Sequence, residues 1–204
     1  GLMAMGSSLD VIGPLTKTVD DAESMFEAMR GHDPMDSTTL PDNMKTPNTK
    51  EKYTIGVPRT FLNDGIDKDV MDAFESGIKT LANAGHEIVD IELDALRHAL
   101  PGYYIIMPAE VAANLARFDG IRYGLHVDGK DRIDVYRQSR GAGFGEEVRR
   151  RIFLGNYVLS SGYYDAFYGK AMKARKRIQR DVKEAFKKVD AIATPTAPSP
   201  AFTI

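Results

Sequence analysis

The chain has 204 residues, 43% of them hydrophobic and 27% charged, with 27 basic against 29 acidic side chains and a formal net charge of -2. That much apolar material builds a large core and excludes a disordered chain, while the charge balance excludes a global attraction to nucleic acid or anionic membrane. The absence of cysteine removes disulfides, thiol nucleophiles and thiolate metal sites and points to a reducing cytoplasm, and no run approaches the ~18 apolar residues that a membrane span needs.

Residues Leu2 to Leu9 are small and apolar, which predicts a short strand, and Gly13 and Pro14 place a turn-rich loop after it. Thr18 with Asp21 three positions on fits a helix cap, and Ala22, Met25, Phe26 and Met29 continue at helical spacing until Gly31. His32 to Lys52 carries three prolines among Asp, Ser, Thr and Asn and reads as a long surface loop. Tyr53, Ile55 and Val57 then alternate; Val70, Ala73, Phe74, Ile78 and Leu81 share a helical face that Gly85 ends; Val89, Ile91 and Leu93 alternate again. Strand, helix and strand within one short span predict a right-handed βαβ unit with parallel strands.

From Leu96 to Phe118 the pattern is helical, with Pro101 and Pro108 expected to interrupt it or to mark helix starts. Asp119-Gly120 reads as a turn, followed by a polar loop through Asp134. Two helices follow, from Gly145 to about Ser160 and from Tyr163 to Lys188. Val189 to Thr194 reads as a last short strand, ended by Pro195, Pro198 and Pro200. Strands interleaved with helices, without repeats, predict an α/β fold with a largely parallel or mixed sheet covered by helices.

The candidate chemistry is sparse. His32, His86, His98 and His126 lack any paired ligand spacing, so no metal site is expected. Gly6-Ser7-Ser8 and Ser160-Ser161-Gly162 lack the strand-turn-helix setting of an activated serine and are not read as nucleophiles. Gly141, Gly143 and Gly145 have no strand before them and no Lys-Ser/Thr after them, so they read as a hinge before a helix and not as a phosphate loop. Arg149 to Arg151 and Lys170 to Lys183 make the last two helices basic. With Ile178, Val182, Ala185 and Phe186 on a separate face, that character reads as a solvated surface, and contact with tRNA or a protein partner is the other reading.

Five strings carry more specific information: SSLDVIGPLTKTVDDA (7–22), GHDPMDSTT (31–39), PAEVAANLARFDGIRYG (108–124), RRIFLGNYVLSSGYYDAFY (150–168) and DAIATPTAPSPAF (190–202). Together and in this order they resemble the amidase-signature family, in particular its members that serve as the glutaminase (A-type) component of glutamyl-tRNA(Gln) amidotransferases. The resemblance implies the middle-to-late part of a single amidase domain over residues 1–204, truncated at both ends. It also implies that the family's catalytic lysine and two serines lie outside this chain, so that no catalytic residue is assigned here and the segment alone is inactive.

For the whole enzyme component the resemblance implies hydrolysis of the glutamine side-chain amide through an acyl-enzyme. The ammonia passes to the B subunit, which uses ATP and magnesium to convert Glu-tRNA(Gln), or Asp-tRNA(Asn), while the small C subunit clamps the other two together. This chain itself is expected to need no cofactor. Arg122 of FDGIRYG is the expected anchor of the glutamine α-carboxylate, because a guanidinium grips a carboxylate with two parallel hydrogen bonds. Asp190, Asp165 and Asp119 are alternatives for the α-amino group, with Asp190 preferred, and Tyr123, Tyr163 and Tyr164 are expected at the pocket wall or in the core. A stand-alone amidase, or a non-catalytic docking module, is the alternative function.

Overall fold

A computed structural model describes residues 2–41, 50–62 and 64–203. The chain divides into two compact units, Asp10–Glu51 and the combination of Gly1–Leu9 with Lys52–Ile204.

In the smaller unit, Thr18 takes an extended backbone and its hydroxyl accepts the Asp21 N–H at 3.1 Å, starting helix α1 (Val19–Met29) as the capping pattern predicts. After Gly31 the loop is tied by its own side chains. The Thr39 hydroxyl accepts the Asp33 N–H at 3.1 Å, and Asp36 accepts the amide and hydroxyl of Thr38 at 2.9 and 2.7 Å, which holds its carboxyl below the usual range. Residues 42–49 of the expected loop lie outside the described residues.

The larger unit is built on a parallel sheet of β1 (Thr54–Val57), β2 (Glu87–Asp90) and β3 (Ala191–Ile192) in the order β2-β1-β3. Ile55 pairs with Ile88 on one side and Ala191 on the other, so β1 is central and its last three residues are buried. Helix α3 (Lys68–Asn83) joins β1 to β2 and ends before Gly85, whose φ of +92° suits only glycine without strain. A short helix, α2 (Arg59–Leu62), lies between β1 and α3.

The period-2 alternation divides the core between two clusters. Val57 and Ile88 join Leu62 and Ile78, whereas Val89 and Ile192 join Ile91, Leu93, Ala185 and Val189. Gly56 sits where Ile91 closes over the strand: a Cβ there would lie 2.8 Å from Ile91 Cδ1.

A 3-10 turn (Asp94–His98) leads into α4 (Ala99–Leu115), then come α5 (Arg132–Gly143), α6 (Glu146–Leu159), a π-turn (Asp165–Gly169) and α7 (Lys170–Ala185). Pro101 falls in the first turn of α4, where its missing N–H costs nothing. Contrary to the expected break, Pro108 lies inside a continuous helix. Its lost hydrogen bond and ring clash cost roughly 3 kcal/mol, and burial of Ile106, Met107, Ala109, Val111 and Ala112 around it offsets that cost. Met107 and Val111 pack on Ile152 of α6 in a third cluster.

Two further expectations are corrected. Residues 2–9 form a turn and not a strand, because Ser7 and Ser8 are held by side chains of α4 and α7 and not by a ladder. The segment read as polar loop and glycine hinge contains α5, with Gly141 and Gly143 in its last turn. Its start is a cap in which Asp131 accepts the Asp134 N–H at 2.8 Å, a signal that the weak apolar periodicity concealed. Phe186, expected on the apolar face of α7, is exposed.

Candidate functional site

The FDGIRYG segment begins where α4 runs out of hydrogen-bond partners for its last carbonyls. One of those carbonyls is taken up by Arg140 of α5, whose Nη1 donates to the oxygens of Leu115 at 2.8 Å and Phe118 at 2.9 Å while the guanidinium lies over the rings of Phe144 and Tyr136. Asp119 then folds the chain on itself: its Oδ1 accepts the N–H groups of Ile121 at 2.8 Å and Arg122 at 3.0 Å. These backbone donors, and next the Arg122 side chain, lower the Asp119 carboxyl to about 2. Gly120 and Gly124, with φ of +77° and +78°, supply the left-handed turns on either side of Arg122 and Tyr123.

The far end of the loop is held by α5 and by a histidine. Ser139 is 3% exposed, and its hydroxyl accepts the Val127 N–H at 2.9 Å. His126 bonds through Nδ1 to the Gly120 carbonyl and through Nε2 to Asp128 at 3.1 Å, and both interactions, the carbonyl first, raise its pKa.

Arg122 therefore projects from a loop with a fixed backbone. Its Nε contacts Asp119 at 3.3 Å, its side chain is 70% exposed, and among the described residues its terminal nitrogens have no partner. Tyr123 follows it, with its ring 5.9 Å from the guanidinium carbon, and lines a cleft of about 130 Å³ with Phe118, Leu125, Arg140 and Phe144. Arg122, Tyr123 and Asp119 thus come together in one loop.

The other predicted residues lie elsewhere. Asp190 is tied to the first residue of β1: its Oδ2 accepts the Thr54 N–H at 3.0 Å and its own N–H donates to the Thr54 carbonyl at 2.8 Å. Asp165 opens the exposed π-turn. Tyr163 stacks on Tyr157 at 4.4 Å, and Tyr164 meets Tyr168 at 5.1 Å.

Sequence reading passes over Ser139 and Arg140 because they sit in the segment read as loop and hinge. It also cannot see a polar junction between distant residues. The Glu110 carboxylate of α4 accepts the Ser8 N–H at 2.9 Å and the Ser8 hydroxyl, while Arg175 of α7 donates to the Ser8 carbonyl at 2.8 Å. Asn114 holds Ser7 Oγ at 2.7 Å. The histidines do not converge: His32 meets Thr39, His86 accepts the Tyr53 N–H, and His98 contacts Arg97. Among the described residues no group of three His, Cys, Asp or Glu is placed to hold a metal, and no helix is long and apolar enough to cross a membrane.

This arrangement occurs within sequences that are similar from end to end. The chain is 50% identical over 209 residues to the A subunit of glutamyl-tRNA(Gln) amidotransferase from Maricaulis maris, covering 100% of this chain and 43% of that protein. It is 49% identical to the same component from Rhizobium meliloti, again covering 43% of it, so the chain spans less than half the length of these curated relatives. The crystal structure of the glutamyl-tRNA(Gln) amidotransferase component of this type from Thermotoga maritima superposes with a TM-score of 0.68 at 34% identity, covering 98% of this chain and 40% of that one. A crystal structure of an amidase shares the fold at 22% identity, with a TM-score of 0.67 over 97% of this chain and 38% of its own. With the profile of the Amidase family matching residues 1–204, the chain belongs to the amidase family.

Proposed function

We propose that this chain is the middle-to-late part of the glutaminase component of a tRNA-dependent amidotransferase, and that its FDGIRYG loop presents Arg122 to the α-carboxylate of glutamine. The observation that carries the reading is the 50% identity, along the whole chain, to the A subunit of a glutamyl-tRNA(Gln) amidotransferase. The loop geometry supports the role of Arg122: Asp119 grips Nε from behind, which leaves the outer edge of the fork for a planar anion. Tyr123 forms the adjoining wall.

In this reading the rest of the glutaminase supplies the activated serine and its lysine and serine relay. This chain binds and orients glutamine, and needs no cofactor of its own. Released ammonia reaches the B subunit, where ATP and magnesium activate Glu-tRNA(Gln), and the C subunit holds the complex together in the cytoplasm. Asp190 serves sheet geometry in this structure, so the partner of the substrate's α-amino group is sought first at Asp119 or outside the chain.

The test is glutamine-dependent amidation by the full-length glutaminase in its complex. Activity should fall in the order wild type, Arg122→Lys, Arg122→Ala, because lysine keeps the charge and loses the fork. The alanine variant should lose roughly 1–3 kcal/mol in kcat/KM, the scale of a charge-assisted hydrogen bond at an open site. Amidation driven by added ammonia should persist, since it bypasses the glutamine pocket. Unchanged glutamine kinetics in Arg122→Ala would remove Arg122 from the site.

A further inference from the structure

Ser139 is the one buried polar side chain among the described residues, and it is placed against the loop that carries Arg122. Its hydroxyl accepts the Val127 N–H at 2.9 Å, lies 3.4 Å from the Val127 carbonyl oxygen, and closes on Gly120 so tightly that a Cβ there would come within 2.4 Å of it. The neighbouring Arg140 holds the carbonyls of Leu115 and Phe118, at the other end of the same loop. Two consecutive residues of α5 therefore grip the loop before Asp119 and after His126, and the loop's own Asx-turn fixes the backbone between them.

A loop that must present a guanidinium to a small ligand gains affinity by being fixed beforehand, since ordering it on binding would cost conformational entropy. A hydroxyl is not needed to fill this space. An alanine would leave Val127 N–H buried without its partner, whereas serine satisfies it and remains small enough for the close approach of Gly120.

We propose that Ser139 and Arg140 are positioning residues for the glutamine site: acting through the 118–127 backbone, they hold Arg122 in the orientation that receives the substrate carboxylate. This rests on the reading of Arg122 as that anchor. Neither residue touches substrate in this scheme. Their loss weakens glutamine binding and leaves the chemical step largely intact.

The experiment uses the full-length glutaminase in its complex and measures KM and kcat for glutamine in Ser139→Ala, Arg122→Ala and the double variant, with ammonia-driven amidation as the control for folding and assembly. Ser139→Ala should raise KM for glutamine roughly tenfold with kcat within about twofold, the effect of one lost buried hydrogen bond felt at the ligand. In the Arg122→Ala background the same substitution should add little, because its effect passes through Arg122. Ser139→Cys keeps the volume with a weaker acceptor and should show a smaller rise in KM, which preserves the test if the alanine variant fails to assemble. Equal KM values for wild type, Ser139→Ala and Ser139→Cys, alongside a large effect of Arg122→Ala, would overturn the positioning role and leave the anchor standing. Full additivity in the double variant would also overturn it. No effect of Arg122→Ala would instead sink the functional reading on which the proposal rests.

Discussion

The carbon that Gly120 lacks would lie 2.4 Å from Ser139 Oγ and 2.5 Å from Ser139 Cβ, so a loop and a helix separated by a polar stretch meet with no room for a side chain. Gly120 also has a φ of +77°. Gly120→Ala should therefore add left-handed strain to overpacking and destabilise the larger unit by about 2–3 kcal/mol. Urea unfolding of the full-length protein measures it, and a loss under about 0.5 kcal/mol would mean that the loop moves away freely.

A second close approach fixes the helix layer. A Cβ on Gly155 of α6 would fall 2.0 Å from the Pro108 carbonyl oxygen and 2.7 Å from Ala112 Cβ of α4. Both neighbours are rigid, so Gly155→Ala should force the helices apart at a cost of about 3 kcal/mol, despite alanine's better helix propensity. A stabilised variant in thermal unfolding would contradict the packing described.

The Arg122 loop should loosen at both ends of the pH range. The raised pKa of His126 means that its stabilisation is complete below its unfolded value near 6.5 and is lost as pH rises through the higher folded value. Asp119, lowered from 3.8 to about 2, stabilises fully above 3.8 and loses that contribution as pH falls toward 2. NMR titration of the His126 imidazole should give a midpoint above 6.5, and a midpoint at or below it would refute the clasp with Gly120 and Asp128.

Asp190→Ala tests the residue that the sequence favours for the substrate's α-amino group. It accepts the Thr54 N–H at the start of the central strand, so the substitution should cost about 1 kcal/mol of stability and leave KM for glutamine unchanged. A raised KM with normal unfolding would return Asp190 to the glutamine pocket.

The sequence by itself determined the elements whose partners are local. The Thr18 cap, the Gly85 stop and the alternation around Ile55 and Val89 fix backbone conformations through neighbours a few residues away, and α1, β1, α3 and β2 form where that periodicity places them. The turn at Asp119-Gly120 is equally legible, since an Asx-turn and a left-handed glycine are local chemistry. Tertiary structure decided what depends on distant contacts. It keeps α4 continuous through Pro108 by burying it against α6, and holds residues 2–9 as a turn on Glu110, Asn114 and Arg175. It also sets Asp190 to work on Thr54, 136 residues away, and brings Ser139 and Arg140 onto the Arg122 loop. In each case a side chain or buried surface from far along the chain outweighs a local propensity worth about 1–3 kcal/mol, and residue spacing carries no record of which distant partner arrives.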